Sequence, residues 1–172
     1  VRYFDTVFLL YAMNELGYKK IINISLKISE ESLSINDLED NNNIIIVYPY
    51  SSFNKEIFDK FKYKYVGYSN SIERDNIDNS YKKVFINNVS YIDKEDYKYL
   101  DYLFMIKEGK VLGEYELNTH INEYLLSYDE VLKVSNKEDI LNTKEISDMC
   151  NLTIGYKEGL LPVYDENINS FE

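Results

Sequence analysis

The run Ile44-Ile45-Ile46-Val47-Tyr48, stopped by Pro49, constrains the fold more than any other stretch of the chain. Four β-branched residues in a row leave no polar face, so a strand built from them must be covered on both sides. That requirement points to an internal strand of parallel type, with helices packed above and below it. Proline cannot donate to a sheet ladder, which ends the strand at Pro49.

The neighbouring sequence extends this picture. Residues 63–68 and 84–86 predict further strands. Residues 53–61 predict a helix capped by Ser51 or Ser52, with Ile57, Phe58 and Phe61 facing inward. Residues 69–80 are polar and read as loop. The expected fold class is therefore α/β, with a mainly parallel central sheet through about residue 90. Ile22, Ile24, Leu26 and Ile28 alternate with Asn23, Ser25 and Lys27, which predicts a half-buried strand over 21–28. This strand supports the alternative, an α+β fold with a mostly antiparallel sheet. Before it, Asp5 or Thr6 can cap a helix reaching Leu16, with Gly17 at its C′ position. A short strand at residues 2–4 competes with that helix.

Downstream, Asp93 begins a helix whose inner face includes Tyr97 and Leu100. Apolar runs at 102–106 and 111–117 flank Lys107-Glu108-Gly109-Lys110. Glycine between two such runs predicts an added β-hairpin over 102–117. Asn118 or Thr119 can cap a helix through Leu126, and residues 131–134 suggest a short strand. Asn136 or Asn142 can cap helical turns reaching Cys150. A second hairpin is expected over 152–164, around Lys157-Glu158-Gly159, with Pro162 on an edge.

Charge narrows the function. The 172 residues, expected to form a single domain over 1–172, carry a net charge of −11. Residues 1–113 hold 15 basic and 17 acidic side chains, and residues 114–172 hold 4 and 13. The chain thus divides into a near-neutral α/β core, 1–113, and an acidic C-terminal portion, 114–172. Phosphate-backbone binding needs clustered Lys and Arg, so direct nucleic-acid binding is disfavoured. One Cys and one His rule out a Cys cluster or a multi-histidine metal site within one chain. No metal and no cofactor is expected. No apolar run reaches the ~18–20 residues of a membrane span, and the expected location is the cytoplasm.

Four sets of residues are candidates for function. Ligands of open α/β sheets sit at the carboxyl ends of the strands. There Tyr50, Ser51, Ser52, Ser69, Asn70 and Asn87 offer hydroxyls and amides to a small polar ligand, though the same residues serve equally as caps and turns. Asp93, Glu95 and Asp96, and separately Glu114 and Glu116, cluster as carboxylates. In so acidic a chain, solvated surface explains them better. His120 and Cys150 are the residue types of a nucleophile pair, but neither lies in a local motif. The acidic, tyrosine-bearing segment is the strongest lead. Glu114, Tyr115, Glu116, Glu123, Tyr124, Tyr128, Asp129 and Glu130 would steer a basic protein partner. The expected function is a non-enzymatic acidic interaction protein, inhibitor- or immunity-like. The alternative is a small α/β domain that binds or acts on a small polar ligand at the strand-end loops.

Overall fold

The computed structural model describes residues 2–3, 6–39, 41–111, 113–114, 117 and 120–155. Its centre is a mixed four-stranded sheet of β3 (Leu9–Ala12), β4 (Ile44–Pro49), β5 (Tyr63–Tyr68) and β6 (Lys83–Phe85), in that spatial order. β3 pairs antiparallel with β4, whereas β4–β5 and β5–β6 are parallel. Two shorter strands, β1 (Arg2–Tyr3) and β2 (Thr6–Val7), form a separate antiparallel ribbon. The α/β layering expected from the Ile44–Tyr48 run is present. Ile44, Ile46 and Tyr48 enter one core with Ile24, Phe58, Val66 and Tyr68. Ile45 and Val47 enter the other with Tyr65, Val84 and Ile146.

The helices are α1 (Glu15–Ser29), α2 (Lys55–Asp59), α3 (Ser71–Asn76), α4 (Tyr97–Glu108), α5 (Tyr128–Val134) and α6 (Lys137–Met149). Helices α1 and α2 contribute Ile24, Ile57 and Phe58 to the first core, and α6 contributes Ile146 to the second. Among the described residues the first core holds thirteen buried hydrophobic side chains and the second five. At roughly 1.5–3 kcal/mol per fully buried large apolar side chain, the α6 layer is the weaker apolar attachment. Polar contacts add to its hold, as the site below shows.

Several expected elements change identity. Residues 21–28 belong to α1. Ile21, Ile24 and Ile28 face the core, and Ile22 and Leu26 stay exposed. Helical spacing thus overrides the apparent alternation. The helix expected over 5–16 is replaced by β2 and β3, because Leu9 and Leu10 pair with Val47 and Ile46 of the dominant strand. Gly17 is not a C′ residue but lies in the first turn of α1, which Asn14 caps. A Cβ on Gly17 would stand 2.1 Å from the Asn43 carbonyl oxygen, so only glycine allows α1 to cross the turn leading into β4.

Asn54, not Ser51 or Ser52, caps the helix after β4, and Ser51 and Ser52 form a 3-10 turn. Residues 71–76, expected as loop, form α3 under an Asn70 cap. Residues 102–106 belong to α4, so the first arm of the hairpin over 102–117 does not form. Gly109, at φ 66°, ends that helix in the left-handed conformation. Residues 131–134, expected as a short strand, belong to the helix α5, held by a Ser127–Glu130 capping box. In place of a helix through Leu126, residues 120–126 form turns and a bridge from Tyr124 to Tyr91. The caps Asn118 and Thr119, and residues 156–164 of the second hairpin, lie outside the described residues.

Candidate functional site

Because β4, β5 and β6 are parallel, the loops that follow them leave the sheet at one end. A cavity of about 410 Å³ lies beside the segment that follows β6, between the sheet and α6. Val47, Val84 and Ile146 make its apolar wall, and Tyr11, Asn87 and Cys150 bring polar atoms to it. A groove of about 470 Å³ between α5 and α6 shares Phe85, Thr143 and Ser147 with the cavity. Burial pushes the Cys150 thiol above its ordinary value, so it is neutral at pH 7 and a poor nucleophile. Burial likewise raises Tyr11. The lining suits a small, mainly apolar molecule with one or two hydrogen-bonding groups.

Of the six strand-end residues picked from sequence, Asn87 lines this cavity. Four of the six make side-chain hydrogen bonds within the chain. Ser52 Oγ donates to the Val7 carbonyl at 2.8 Å, and Ser69 Oγ donates to Glu73 at 2.9 Å. Asn70 accepts from the Glu73 amide at 2.9 Å as the α3 cap. Asn87 Nδ2 donates to the Tyr124 carbonyl at 3.0 Å. Tyr50 and Ser51 are exposed on the 3-10 turn.

The acidic candidates divide in the same way. Glu123 accepts from Ser90 Oγ at 2.6 Å and lies 2.7 Å from His120 Nδ1. Burial opposes ionisation of Glu123, but those two hydrogen bonds outweigh it and hold its carboxyl below the ordinary value. Glu130 accepts from the amide and hydroxyl of Ser127 and from the Tyr124 hydroxyl, which brings its pKa down to about 2. Glu123, Tyr124 and Glu130 therefore have internal partners. Glu114, Tyr128 and Asp129 face solvent. Tyr115 and Glu116 lie outside the described residues.

His120 stacks on Phe104 at 4.5 Å, while Cys150 lines the cavity, and no hydrogen bond joins them. Asp93, Glu95 and Asp96 occupy the exposed turn before α4 and its cap. Among the described residues, no three His, Cys, Asp or Glu side chains converge as a metal cage.

Sequence reasoning missed a buried polar network on α3, β5 and α6. Arg74 Nε donates to Asp139 Oδ2 at 2.7 Å. The Tyr68 hydroxyl is 2.8 Å from the same oxygen and 2.6 Å from Ser135 Oγ. Burial and the neighbouring Asp139 carboxylate push Tyr68 up to about 12, against the Ser135 hydrogen bond and the Arg74 charge. Nearby, the buried Lys83 ammonium donates to the carbonyls of Arg74 and Ile77 and to Asn79 Oδ1. It neutralises the carbonyl end of α3. One local signal was available: Asn136 followed three positions later by Asp139 is a helix-start pattern. Nothing local marks Arg74 as its partner.

No family model matches the chain. The chain is similar to DNA polymerase III subunit alpha. The match to that subunit of Staphylococcus epidermidis (strain ATCC 12228 / FDA PCI 1200) is 27% identical over 159 residues. It covers 89% of this chain and 15% of the relative. The alpha subunit of a second strain of the same species, ATCC 35984, matches at 26% identity over the same extent. The chain thus spans about 15% of the length of the curated relatives it matches.

Proposed function

We propose that this chain is a non-catalytic interaction module of a DNA polymerase III alpha-like protein, working through protein–protein contact. One observation carries the reading: the similarity runs along 89% of the chain rather than through one short motif. Charge supports protein over nucleic acid as the thing touched, since 19 basic side chains face 30 acidic ones. The test is to fractionate a native extract and follow the polypeptide with antibodies raised against this chain. Co-elution with primer-extension activity, together with co-precipitation of an alpha-type polymerase sequence, is the expected result. Elution apart from that activity overturns the proposal.

A second reading is a free-standing acidic protein that captures a basic partner, inhibitor- or immunity-like. The exposed Tyr128 and Asp129 at the start of α5 favour it. Its discriminating test is charge reversal at Glu114 and Asp129, which face solvent and can be changed without breaking the Glu130 cap. Recovery of a basic partner that this double reversal abolishes supports this second reading.

A further inference from the structure

Helix α4 is apolar on both of its sides. Met105 is buried on the inner side, next to the buried Asp101. On the opposite side Tyr99, Tyr102, Leu103 and Ile106 are 57%, 47%, 63% and 77% exposed. At 3.6 residues per turn these four fall within an arc of about 100°. Lys98 stands at one edge of that arc and Lys107 at the other. Their ammonium groups lie 5.2 Å from the Tyr99 ring and 5.5 Å from the Phe104 ring. A helix face turned to water is ordinarily polar, and this one is an aromatic–aliphatic stripe between two lysines.

We propose that this face of α4 docks into an apolar protein groove rimmed by carboxylates. The groove belongs to the remainder of a DNA polymerase III alpha-like polypeptide, so the inference rests on the function proposed above. Charge complementarity identifies the kind of partner. In a chain of net charge −11 the stripe has a basic rim of Lys98 and Lys107. A second copy laid on the same face would set lysine rims against lysine rims. An anionic membrane would attract the two lysines but repel the chain as a whole. Tyrosines and branched aliphatics seated in a groove, at helical spacing, are the usual anchors of a helix in such a site.

The test places a photo-crosslinking amino acid at Leu103, at Ile106 and, as reference, at Tyr128 of the full chain in its native cells. Cross-linked peptides are identified by mass. The expected products from 103 and 106 join alpha-type polymerase sequence outside residues 1–172, in peptides bearing Asp or Glu. Substituting Lys98→Glu with Lys107→Glu leaves the chain folded by circular dichroism and cuts the yield from 106 at least about tenfold, as like-charge repulsion from a carboxylate rim would. Cross-links to a second copy, to residues 156–172, to lipid, or to nothing at 103 and 106 overturn the proposal. Polymerase cross-links from 128 without any from 103 or 106 leave the module reading standing and remove only the α4 docking face. Absence of polymerase cross-links from all three positions removes both.

Discussion

Arg74 donates from Nε to Oδ2 of Asp139 at 2.7 Å, joining positions 65 apart in sequence. The Asp139 side chain is 6% exposed and that of Arg74 is 25%. The pair ties α3 to the first turn of α6, the helix with the thinner apolar attachment.

Removing one partner strands the other. Asp139→Asn should lower stability by about 3 kcal/mol, the low end for a broken buried pair, because Arg74 keeps some access to water. Tyr68→Phe should cost about 1–2 kcal/mol through its two lost hydrogen bonds. Urea unfolding of both single variants and the double variant should give a coupling energy of about 0.5–3 kcal/mol. Strictly additive losses would mean that the Tyr68 hydroxyl does not act through Asp139.

Glu130 gives stability a defined acid limb. Its ordinary value of 4.5 falls to about 2 in the folded chain. A depressed carboxyl contributes stability that is fully present above the unfolded value and is lost as pH falls through the folded one. The Glu130 share should therefore be intact above about pH 4.5 and disappear toward pH 2. In Glu130→Gln the stability curve should be flatter across that window. A parallel curve would show that the Ser127 and Tyr124 hydrogen bonds do not hold in solution.

Two glycines should respond differently to alanine. Gly17→Ala introduces a Cβ 2.1 Å from the Asn43 carbonyl oxygen, so it should destabilise by about 1–3 kcal/mol despite alanine's better helix propensity. At Gly109 nothing lies within 4 Å, and only the φ of 66° resists a side chain. Gly109→Ala should cost about 1 kcal/mol. Gly109→Asn should recover much of that, since Asn tolerates the left-handed region. Thermal denaturation of the three variants checks the order.

Cys150 should be slow to modify. Half-buried and held protonated by burial, its thiol should react with a disulfide reagent at pH 7.4 at least about tenfold more slowly than in the unfolded chain. Equal rates in native buffer and in denaturant would show that the cavity does not shelter it.

The sequence made the sheet legible where its chemistry was unambiguous. Ile44 to Val47 can satisfy no solvent-facing position, and Tyr63 to Tyr68 is a tyrosine- and valine-bearing run ended by Ser69-Asn70, so β4 and β5 are legible. Two of the differences come from apolar patterns that two kinds of element satisfy. Residues 22–28 satisfy a period of two and a helical period at once, and burial of Ile21, Ile24 and Ile28 decides between them. Residues 102–106 looked like strand because α4 is apolar on its outer side as well as its inner one. Gly109 needs a left-handed backbone in either reading, so it could not choose between a hairpin and a helix end. Among the site residues, Asn70 and Ser52 were found as polar groups at strand ends, but their partners Glu73 and Val7 set their role. The Arg74–Asp139 pair is not legible because no local pattern encodes a contact between positions 65 apart.

The order of the sheet has a consequence for how the chain comes into being. β3, β4, β5 and β6 are neighbours in space in the order in which they are synthesised. Each strand can pair with the one before it as soon as it is made, and little loop entropy stands in the way. The covering helix α6 arrives much later. Until Ile146 has emerged, one side of the nascent sheet presents Ile45, Val47, Tyr65 and Val84 to the surroundings without their lid. The interval of translation between β6 and α6 is therefore when this chain is most prone to aggregate, and slow codons placed there would lengthen its exposure.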